Sequence, residues 1–227
     1  MRLIKFSTDK ANKELGQPQP MKNLLPEWYR RAESTYTSKH GSESPGLKKC
    51  APYLDALISG YAVVTPFDIY VSSIDGKVEI KWDGPQEFDG FIAERESASG
   101  RTMPRPAGHA DNHLVWSSPW GFKVPRGWSV LVTHPLNRFD LPFTTSSGII
   151  DSDAFWASGN VPFFIKEGFT GIIPAGTPYM QLLPIKRANW LSVHDQGISD
   201  KIAVQGMEVR KEGQSYKQTK WKRKKYN

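Results

Sequence analysis

One turn motif occurs twice in the sequence. Pro125-Arg126-Gly127 and Pro174-Ala175-Gly176 begin 49 residues apart, and each motif lies between two apolar runs. Proline presets φ, and glycine can adopt the positive φ that closes a turn, so Pro125, Gly127, Pro174 and Gly176 are predicted turn residues. A turn between two apolar runs predicts a hairpin at each motif. The doubled unit favours a β-sandwich or roll with two related halves.

Further strand signals surround these two turns. Asp75-Gly76 suits a two-residue type I′ turn and predicts a hairpin between strands 69–74 and 77–82. The 19 glycines and 17 prolines are scattered along the chain, as in proteins with many short strands. Other strands are predicted at 3–6, 61–66, 91–94, 115–124, 128–133, 147–150, 162–165, 169–173 and 178–183.

Short helices and a domain plan complete the predicted fold. Helices are predicted at 26–31, 52–59, 188–193 and 200–209, and a loop is predicted at 34–46. The predicted class is mainly β with a few short helices, in one globular domain overall. The predicted parts are an N-terminal extension with short helices (1–60), a β-sandwich core (61–190), a helical or irregular segment (191–209) and a basic tail (210–227).

The net charge of +7 is confined to the C-terminal end of the sequence. From Arg210 onward the chain has eight basic residues and one acidic residue, whereas residues 1–209 have 22 of each sign. Basic and aromatic side chains interleave in this tail, which suits phosphate contacts with base stacking, or an arm laid on an acidic protein. We expect the tail to be ordered only on a partner. Its predicted binding residues are Arg210, Lys211, Lys217, Lys220, Trp221, Lys222, Arg223, Lys224 and Lys225.

Several classes of protein are disfavoured by what the sequence lacks. No run of eighteen apolar residues predicts a membrane span, and residues 1–6 do not suit a signal peptide. The single cysteine, Cys50, cannot form an internal disulfide or a cysteine-rich metal site. The sequence has no nucleophile elbow, phosphate-binding glycine loop or dinucleotide fingerprint, so we expect no cofactor.

A possible metal site is the alternative that the histidines raise. His109-Ala110-Asp111 matches the His-x-Asp half of a facial triad, which binds Fe(II) through two histidines and one carboxylate. On a strand, residues two apart point the same way, and His134 or His194 would supply the second histidine. The prolines and glycines around His109 instead favour a polar loop, and both interpretations stay open.

Asp151 and Asp153 form a second candidate group. An extended segment would place both carboxylates on one face, as a catalytic pair requires. Aspartate is also an ordinary residue at strand ends and turns. The spacing alone does not choose between catalysis and a turn.

The second turn motif resembles the second motif of the cupin family. Gly168 begins the pattern, five residues follow, and Pro174-Ala175-Gly176 occupies the Pro-x-Gly position. Tyr179 then stands where the family has its metal-binding histidine, and Leu183 stands where it has asparagine. The resemblance implies a cupin-like jelly-roll β-sandwich that lacks the metal ligands of this motif.

A second resemblance covers most of residues 50–190. Several segments resemble an uncharacterised protein family encoded by tailed phages, especially marine ones. That resemblance implies a phage setting and a β-sandwich, and it implies no reaction. The segments are Cys50-Ala51-Pro52-Tyr53-Leu54-Asp55-Ala56-Leu57, Gly60-Tyr61, Ser118-Pro119-Trp120-Gly121-Phe122, Pro125-Arg126-Gly127-Trp128-Ser129, Gly148-Ile149-Ile150-Asp151-Ser152-Asp153, Asn160-Val161-Pro162-Phe163, and Gly176-Thr177-Pro178 continuing to Pro184.

These features lead to one functional expectation and two alternatives. We expect a non-enzymatic structural or assembly protein of a phage particle, found in the virion and, during synthesis, in the host cytoplasm. Its tail would be an interaction arm for other virion proteins or copies of the chain, with nucleic acid as another partner and no membrane. The alternatives are a cupin-like metal-dependent oxygenase using His109, Asp111 and His134 or His194, and a nucleic-acid-binding accessory protein acting through the tail.

Overall fold

The structure of the chain is a computed structural model, which describes residues 2–74, 77–95, 103–211 and 215–227. Short apolar runs interrupted by glycine and proline give the described chain many short antiparallel strands and few helices. The chain divides into two compact units. The first comprises Met1–Met21 and Gly60–Arg187, and the second comprises Lys22–Ser59 and Ala188–Asn227.

The strands are numbered in chain order. They are β1 (Lys5–Ser7), β2 (Gln19–Pro20), β3 (Thr35–Thr37), β4 (Glu43–Pro45), β5 (Tyr61–Val64), β6 (Ile69–Ile74), β7 (Lys77–Trp82), β8 (Ile92–Glu94), β9 (Leu114–Ser117), β10 (Gly121–Lys123), β11 (Trp128–Thr133), β12 (Phe143–Thr145), β13 (Gly148–Ile150), β14 (Asn160–Ile165), β15 (Gly171–Ile173) and β16 (Pro178–Lys186).

Among its described residues the first unit contains four sheets, and every strand pair in them is antiparallel. A five-stranded sheet has the order β13-β11-β16-β5-β2, and a four-stranded sheet has the order β12-β14-β9-β8. A three-stranded sheet has the order β15-β6-β7, and β1 pairs with β10. The chain is therefore mainly β, as predicted.

The helices lie mostly in the second unit. Helix α1 (Glu27–Arg31) follows Pro26, and helix α2 (Ala51–Ile58) has proline in its first turn, where a missing N–H costs nothing. Helix α3 (Ser199–Lys211) comes late in the chain. These three helices agree with the predictions at 26–31, 52–59 and 200–209. Shorter helical turns occur at Met21–Leu24, Leu47–Lys49, Gln86–Phe88, Gln196–Ile198 and Tyr216–Lys220.

The hairpin predicted from Asp75-Gly76 is confirmed by the pairing of β6 with β7. Ile74 pairs with Lys77, and the register continues to Ile69 opposite Trp82. Val78 is buried while Lys77, Glu79 and Lys81 are exposed, so the alternation in the sequence matches the two faces of the strand. Asp75 and Gly76 themselves lie outside the described residues.

The two Pro-x-Gly motifs form closely similar turns. Gly127 and Gly176 both have φ of 80°, and the amide three residues after each proline donates back to that proline's carbonyl oxygen. The N–H···O distances are 3.1 Å for Trp128 to Pro125 and 3.2 Å for Thr177 to Pro174. Positive φ at the third residue is the type II geometry.

The prediction that these turns close hairpins is wrong. The first turn joins β10 to β11, and the second joins β15 to β16, but neither pair of strands is hydrogen-bonded. A type II turn does not match the right-handed twist of a two-stranded hairpin, so the flanking strands splay apart. Each motif therefore transfers the chain from one sheet to another.

Three other predicted elements also need correction. The strand at 115–124 is two strands, β9 and β10, because proline at position 119 cannot donate to a ladder. The loop at 34–46 contains the hairpin β3–β4. Residues 188–193 are not helical, since six residues are too few to nucleate a helix without packing.

An aromatic cluster fills the core of the first unit. Trp116 on β9 stacks on Phe163 with ring centroids 3.7 Å apart and lies 4.7 Å from the ring of Tyr179 on β16. A single hydroxyl links these residues: Trp116 Nε1 donates to Thr145 Oγ1 (3.2 Å), which donates to the Tyr179 carbonyl oxygen (2.7 Å). Trp116, Tyr179 and Thr145 are all buried. The four-stranded and five-stranded sheets therefore meet at this group.

Replacing Thr145 with valine should destabilise the first unit more than replacing it with serine. Valine keeps the shape but leaves two buried polar partners without a hydrogen bond, which costs about 2–4 kcal/mol in the free energy of unfolding. Serine keeps both hydrogen bonds and loses one buried methyl group, which costs about 1 kcal/mol. Urea denaturation of the two variants tests the order. Equal stability of Thr145→Val and Thr145→Ser would show that the hydroxyl does not hold the sheets together.

Candidate functional site

His109 and Asp111 face different partners. The His109 ring is buried, with Nδ1 at 3.1 Å from the Ala107 carbonyl oxygen and Nε2 at 2.9 Å from Thr144 Oγ1. Asp111 is exposed and forms an ion pair with Arg105. Both nitrogens of His109 are thus hydrogen-bonded inside the protein, and Asp111 has a cation as its partner.

His134 and His194 also differ from each other. His134 Nε2 lies 3.1 Å from the Arg138 carbonyl oxygen, and Nδ1 accepts a hydrogen bond from the Thr145 amide at 3.3 Å. Burial holds the pKa of His134 below its ordinary value, which favours the neutral ring that this arrangement needs. His194 belongs to the second unit and is exposed.

Across residues 2–74, 77–95, 103–211 and 215–227, no three His, Cys, Asp or Glu side chains are grouped so that they could hold a metal ion. The structure therefore does not bring His109, Asp111 and a second histidine together as ligands in the way that the oxygenase alternative requires.

Tyr179, which stands at the metal-ligand position in the resemblance to the cupin motif, belongs to the core. The Tyr179 ring contacts Phe91 and Trp116, with centroid distances of 5.6 and 4.7 Å. Burial raises the pKa of the Tyr179 phenol far above its ordinary value, so the hydroxyl stays neutral. Leu183 pairs with Leu131 across β16 and β11. Both positions serve packing and sheet pairing.

Asp151 and Asp153 converge on one arginine. Arg187 Nη1 lies 3.0 Å from Asp151 Oδ1 and donates to Asp153 Oδ1 at 2.9 Å, and Nη2 also pairs with Asp153 Oδ2. Asp151 accepts a further bond of 2.6 Å from Ser129, and Asp153 accepts one of 2.8 Å from the Gly127 amide in the first Pro-x-Gly turn. We call Asp151, Asp153 and Arg187 the arginine clamp.

The arginine clamp keeps both carboxylates ionised. The pKa of Asp153 is lowered first by its hydrogen bond from Arg187, and that of Asp151 first by its bond from Ser129. The same contacts raise the pKa of Arg187. A catalytic pair needs one carboxyl group that can hold a proton near neutral pH, and these contacts favour the opposite state. The geometry is that of a structural tie between a turn, a loop and the end of β16.

The described part of the basic tail contacts helix α2 of the second unit. Trp221 Nε1 donates to Asp55 Oδ2 at 2.9 Å, and Lys224 Nζ forms an ion pair with the same carboxylate. Lys22 Nζ donates to Asn227 Oδ1 at 2.9 Å. The pKa of Lys224 is raised, mainly by its hydrogen bond to Asp55. Trp221 and Lys224 are therefore already engaged, and Asp55 anchors the tail within its own unit.

Four other predicted binding residues of the tail are exposed to solvent. They are Lys220, Lys222, Arg223 and Lys225. None of the ion pairs found among the described residues involves them. Lys217 is partly buried, and the backbones of Arg210 and Lys211 belong to the end of α3. The anchored tail thus presents a short cationic surface.

A run of exposed apolar side chains precedes the tail. Every large apolar side chain from Trp190 to Val209 is exposed by 44% or more, and Trp190 and Leu191 reach 91% and 89%. The members are Trp190, Leu191, Val193, Ile198, Ile202, Val204, Met207 and Val209. We call residues 190–209 the apolar segment. On helix α3, Ile202 and Val209 lie on one side, and Val204 and Met207 lie on the other.

The sequence did not reveal these partners. Arg187 is 34 residues from Asp153, and no local pattern connects them. Asp55 looked like an ordinary helical residue, although it is an acid in a neutral body beside a cationic tail. The apolar segment offered the clearest signal, since Trp190, Leu191 and Val193 follow one another in a polar context.

No family model matches the chain, and no curated protein matches it. No helix among the described residues is long and apolar enough to cross a membrane.

The arginine clamp should make stability sensitive to acid. In the folded state the pKa values of Asp151 and Asp153 lie below the ordinary aspartate value. The contribution of the clamp to the free energy of unfolding is therefore complete above about pH 4, and it is lost as the pH falls through the lower folded-state pKa values. Asp153→Asn should remove part of this dependence, so its urea midpoint should fall less than that of the wild type between about pH 7 and about pH 3. The exposed Asp83→Asn variant is the control. If the urea midpoint of Asp153→Asn fell as much between these pH values as that of the wild type, the expectation would be contradicted.

Proposed function

We propose that this chain is a non-enzymatic assembly protein of a phage particle. The observation that carries the proposal is the apolar segment, in which all large side chains from Trp190 to Val209 are exposed. Folded proteins seldom present a long row of large apolar groups to water unless another surface covers it. The occupant in this proposal is another subunit of the particle, either a copy of the chain or a different virion protein.

The chemistry of the apolar segment supports a protein partner. Tryptophan, leucine and methionine are typical of the centres of protein interfaces, where they fill pockets on the partner. Helix α3 has exposed apolar residues on two sides, so a single flat contact would leave one side uncovered. A partner that surrounds the helix, as neighbouring subunits of an assembly do, fits this distribution.

The arrangement of charge supports the same proposal. The body of the chain is neutral, and its cations and anions are equal in number up to residue 209. The exposed cations of the tail begin at Lys220, 11 residues after the end of the apolar segment at Val209. An apolar contact followed by a cationic one suits a partner whose apolar surface is bordered by acidic groups.

The proposed fold within this setting is a cupin-like jelly roll. Four strand pairs nest inside one another along the chain: β5 with β16, β6 with β15, β9 with β14, and β11 with β13. Nesting of this kind is what a long hairpin folded over on itself produces. The outermost and innermost pairs share the five-stranded sheet, whereas an ideal jelly roll alternates its pairs between two sheets. The phage setting itself rests on the resemblance of residues 50–190 to the tailed-phage family.

A second candidate function is binding of nucleic acid by the tail. It is favoured by one observation, the exposed row of Lys220, Lys222, Arg223 and Lys225. Such a row suits the phosphates of a nucleic-acid backbone. Trp221 donates its indole N–H to Asp55 and is partly buried, so base stacking on it would require release of the tail.

The assembly proposal predicts that purified virions contain the chain in a fixed number of copies per particle, measured by quantitative mass spectrometry. Trp190→Asp should reduce incorporation about tenfold or more, since burying one large apolar side chain contributes about 1.5–3 kcal/mol. Asn189→Asp adds the same charge at the neighbouring exposed residue and should incorporate normally. Absence of the chain from virions would overturn the proposal, and equal incorporation of both variants would overturn the role of the apolar segment.

The nucleic-acid candidate predicts a different result. Replacing Lys220, Lys222, Arg223 and Lys225 with glutamine should weaken binding to duplex DNA and reduce the salt slope of the affinity by about 3.6, because each of the four phosphate contacts contributes about 0.9. A variant with glutamine at the exposed Lys13, Lys39, Lys77 and Arg126 loses the same charge and is the control. Equal loss in both variants would indicate a non-specific effect of net charge, and no binding by the wild type would exclude this function.

A further inference from the structure

A cleft of about 680 Å³ opens on the first unit, and its lining does not include His109, Asp111, His134, Asp151 or Asp153. Four stretches border it: residues 7–10, residues 87–91, residues 117–121 at the end of β9 and beyond it, and residues 156–160, which lead into β14. Most of its polar side chains are uncharged. They are Ser7, Thr8, Ser117, Ser118, Ser158 and Asn160.

The polar groups of the cleft are held in place by one another. Ser117 Oγ donates to Asn160 Oδ1 at 3.0 Å, so the oxygen of the Asn160 side chain is engaged and its NH₂ group is the end left to donate. Ser158 is buried, and its hydroxyl donates to the Ser118 carbonyl oxygen at 3.2 Å. The Ser158 oxygen can still accept a hydrogen bond. The cleft therefore presents uncharged hydrogen-bond donors and acceptors in fixed positions.

The walls of the cleft are anchored by two further contacts. Glu87 accepts hydrogen bonds of 2.8 Å from both the Ala11 amide and the Asn12 side chain, which hold the N-terminal segment. These bonds, the Ala11 amide first, lower the pKa of Glu87 and keep it ionised. On the opposite wall the Phe122 amide donates to the Trp156 carbonyl oxygen at 2.8 Å. A Cβ at Gly121 would lie 2.6 Å from that oxygen, so only glycine permits this approach.

Trp156 gives the cleft an aromatic edge. Its side chain is 54% exposed although it is among the residues that line the cleft. Lys123 Nζ lies 4.1 Å from the centre of the indole ring and packs on it in a cation–π contact. A large aromatic group that is exposed and restrained on one side is suited to contact a ligand with its free face.

We propose that this cleft binds a neutral oligosaccharide. A pyranose ring has one apolar C–H face that packs on an indole and hydroxyl groups that both donate and accept hydrogen bonds. The cleft supplies the matching groups, Trp156 together with the serine hydroxyls and the Asn160 amide. Its charged side chains are Asp9, Lys10 and Glu87, and Glu87 is already engaged. With two carboxylates and one ammonium group, the cleft has no cluster of positive charges that would bind a phosphate or a carboxylate.

The proposal is tested with the full-length protein on an array of neutral and acidic glycans, followed by calorimetry with the neutral glycan that binds best. Trp156→Ala should weaken the affinity about tenfold or more, as loss of a tryptophan at the centre of a contact does. Phe155→Ala is the matched control, because Phe155 is 55% exposed, adjacent in sequence and not part of the cleft lining. It should bind within about twofold of the wild type.

A second variant keeps the test valid if Trp156→Ala perturbs folding. Asn160→Asp preserves an oxygen that accepts from Ser117, but it replaces the NH₂ donor with a negatively charged acceptor oxygen, so it should fold normally and also bind more weakly. Retention of acidic glycans alone, or of no glycan, would overturn the proposal. Equal affinity of the Trp156→Ala, Asn160→Asp and Phe155→Ala variants would place the binding elsewhere and overturn it as well.

Discussion

The hydroxyl of Thr145 is the contact on which the first unit depends. It accepts from the Trp116 indole and donates to the Tyr179 carbonyl oxygen, so one small group satisfies two polar atoms that are buried in an aromatic core. Without it, the largest side chain of the core would carry an unpaired N–H into an apolar environment. β9 and β12 belong to one sheet and β16 to another, so this hydroxyl joins the two sheets where they meet in the core.

The sequence predicted local structure better than it predicted connections. The hairpin at 69–82 followed from strict alternation and from Asp-Gly, both of which act over a few residues. The Pro-x-Gly turns formed as predicted in their own geometry, with Gly127 and Gly176 at the same φ, but their strands joined different sheets. Which strand pairs with which depends on burial across the whole core, and no window of ten residues contains that information. The helix predicted at 188–193 failed for a related reason, because its apolar residues have no packing partner in the described chain.

In the candidate sites, too, the sequence indicated individual residues but not their distant partners. Asp151 and Asp153 were predicted only as a candidate pair, and their contacts depend on Arg187, which pattern alone did not connect to them. The histidines met the spacing of a metal site but not its geometry, since His109 and His134 each direct both nitrogens to hydrogen bonds of the protein. Tyr179 stands where the resemblance to the cupin family would place a metal ligand, and its ring packs on Trp116 in the buried core. The tail was recognised by charge, whereas its anchor on Asp55 required the fold.

The arginine clamp has a mechanical consequence. Arg187 is the last residue of the first unit, and the apolar segment begins three residues later. A pull passed along the chain from that segment would reach the first unit at Arg187, where Asp151 and Asp153 form ion pairs with the guanidinium and the Arg187 amide donates to the Gly127 carbonyl oxygen at 2.9 Å. Beyond this point, β16 runs between β11 and β5, so further extraction would have to shear two ladders of hydrogen bonds along their length at once. A load passed along the chain into β16 would thus first have to break the ion pairs of the arginine clamp. It would then have to break the hydrogen bonds on both sides of the strand.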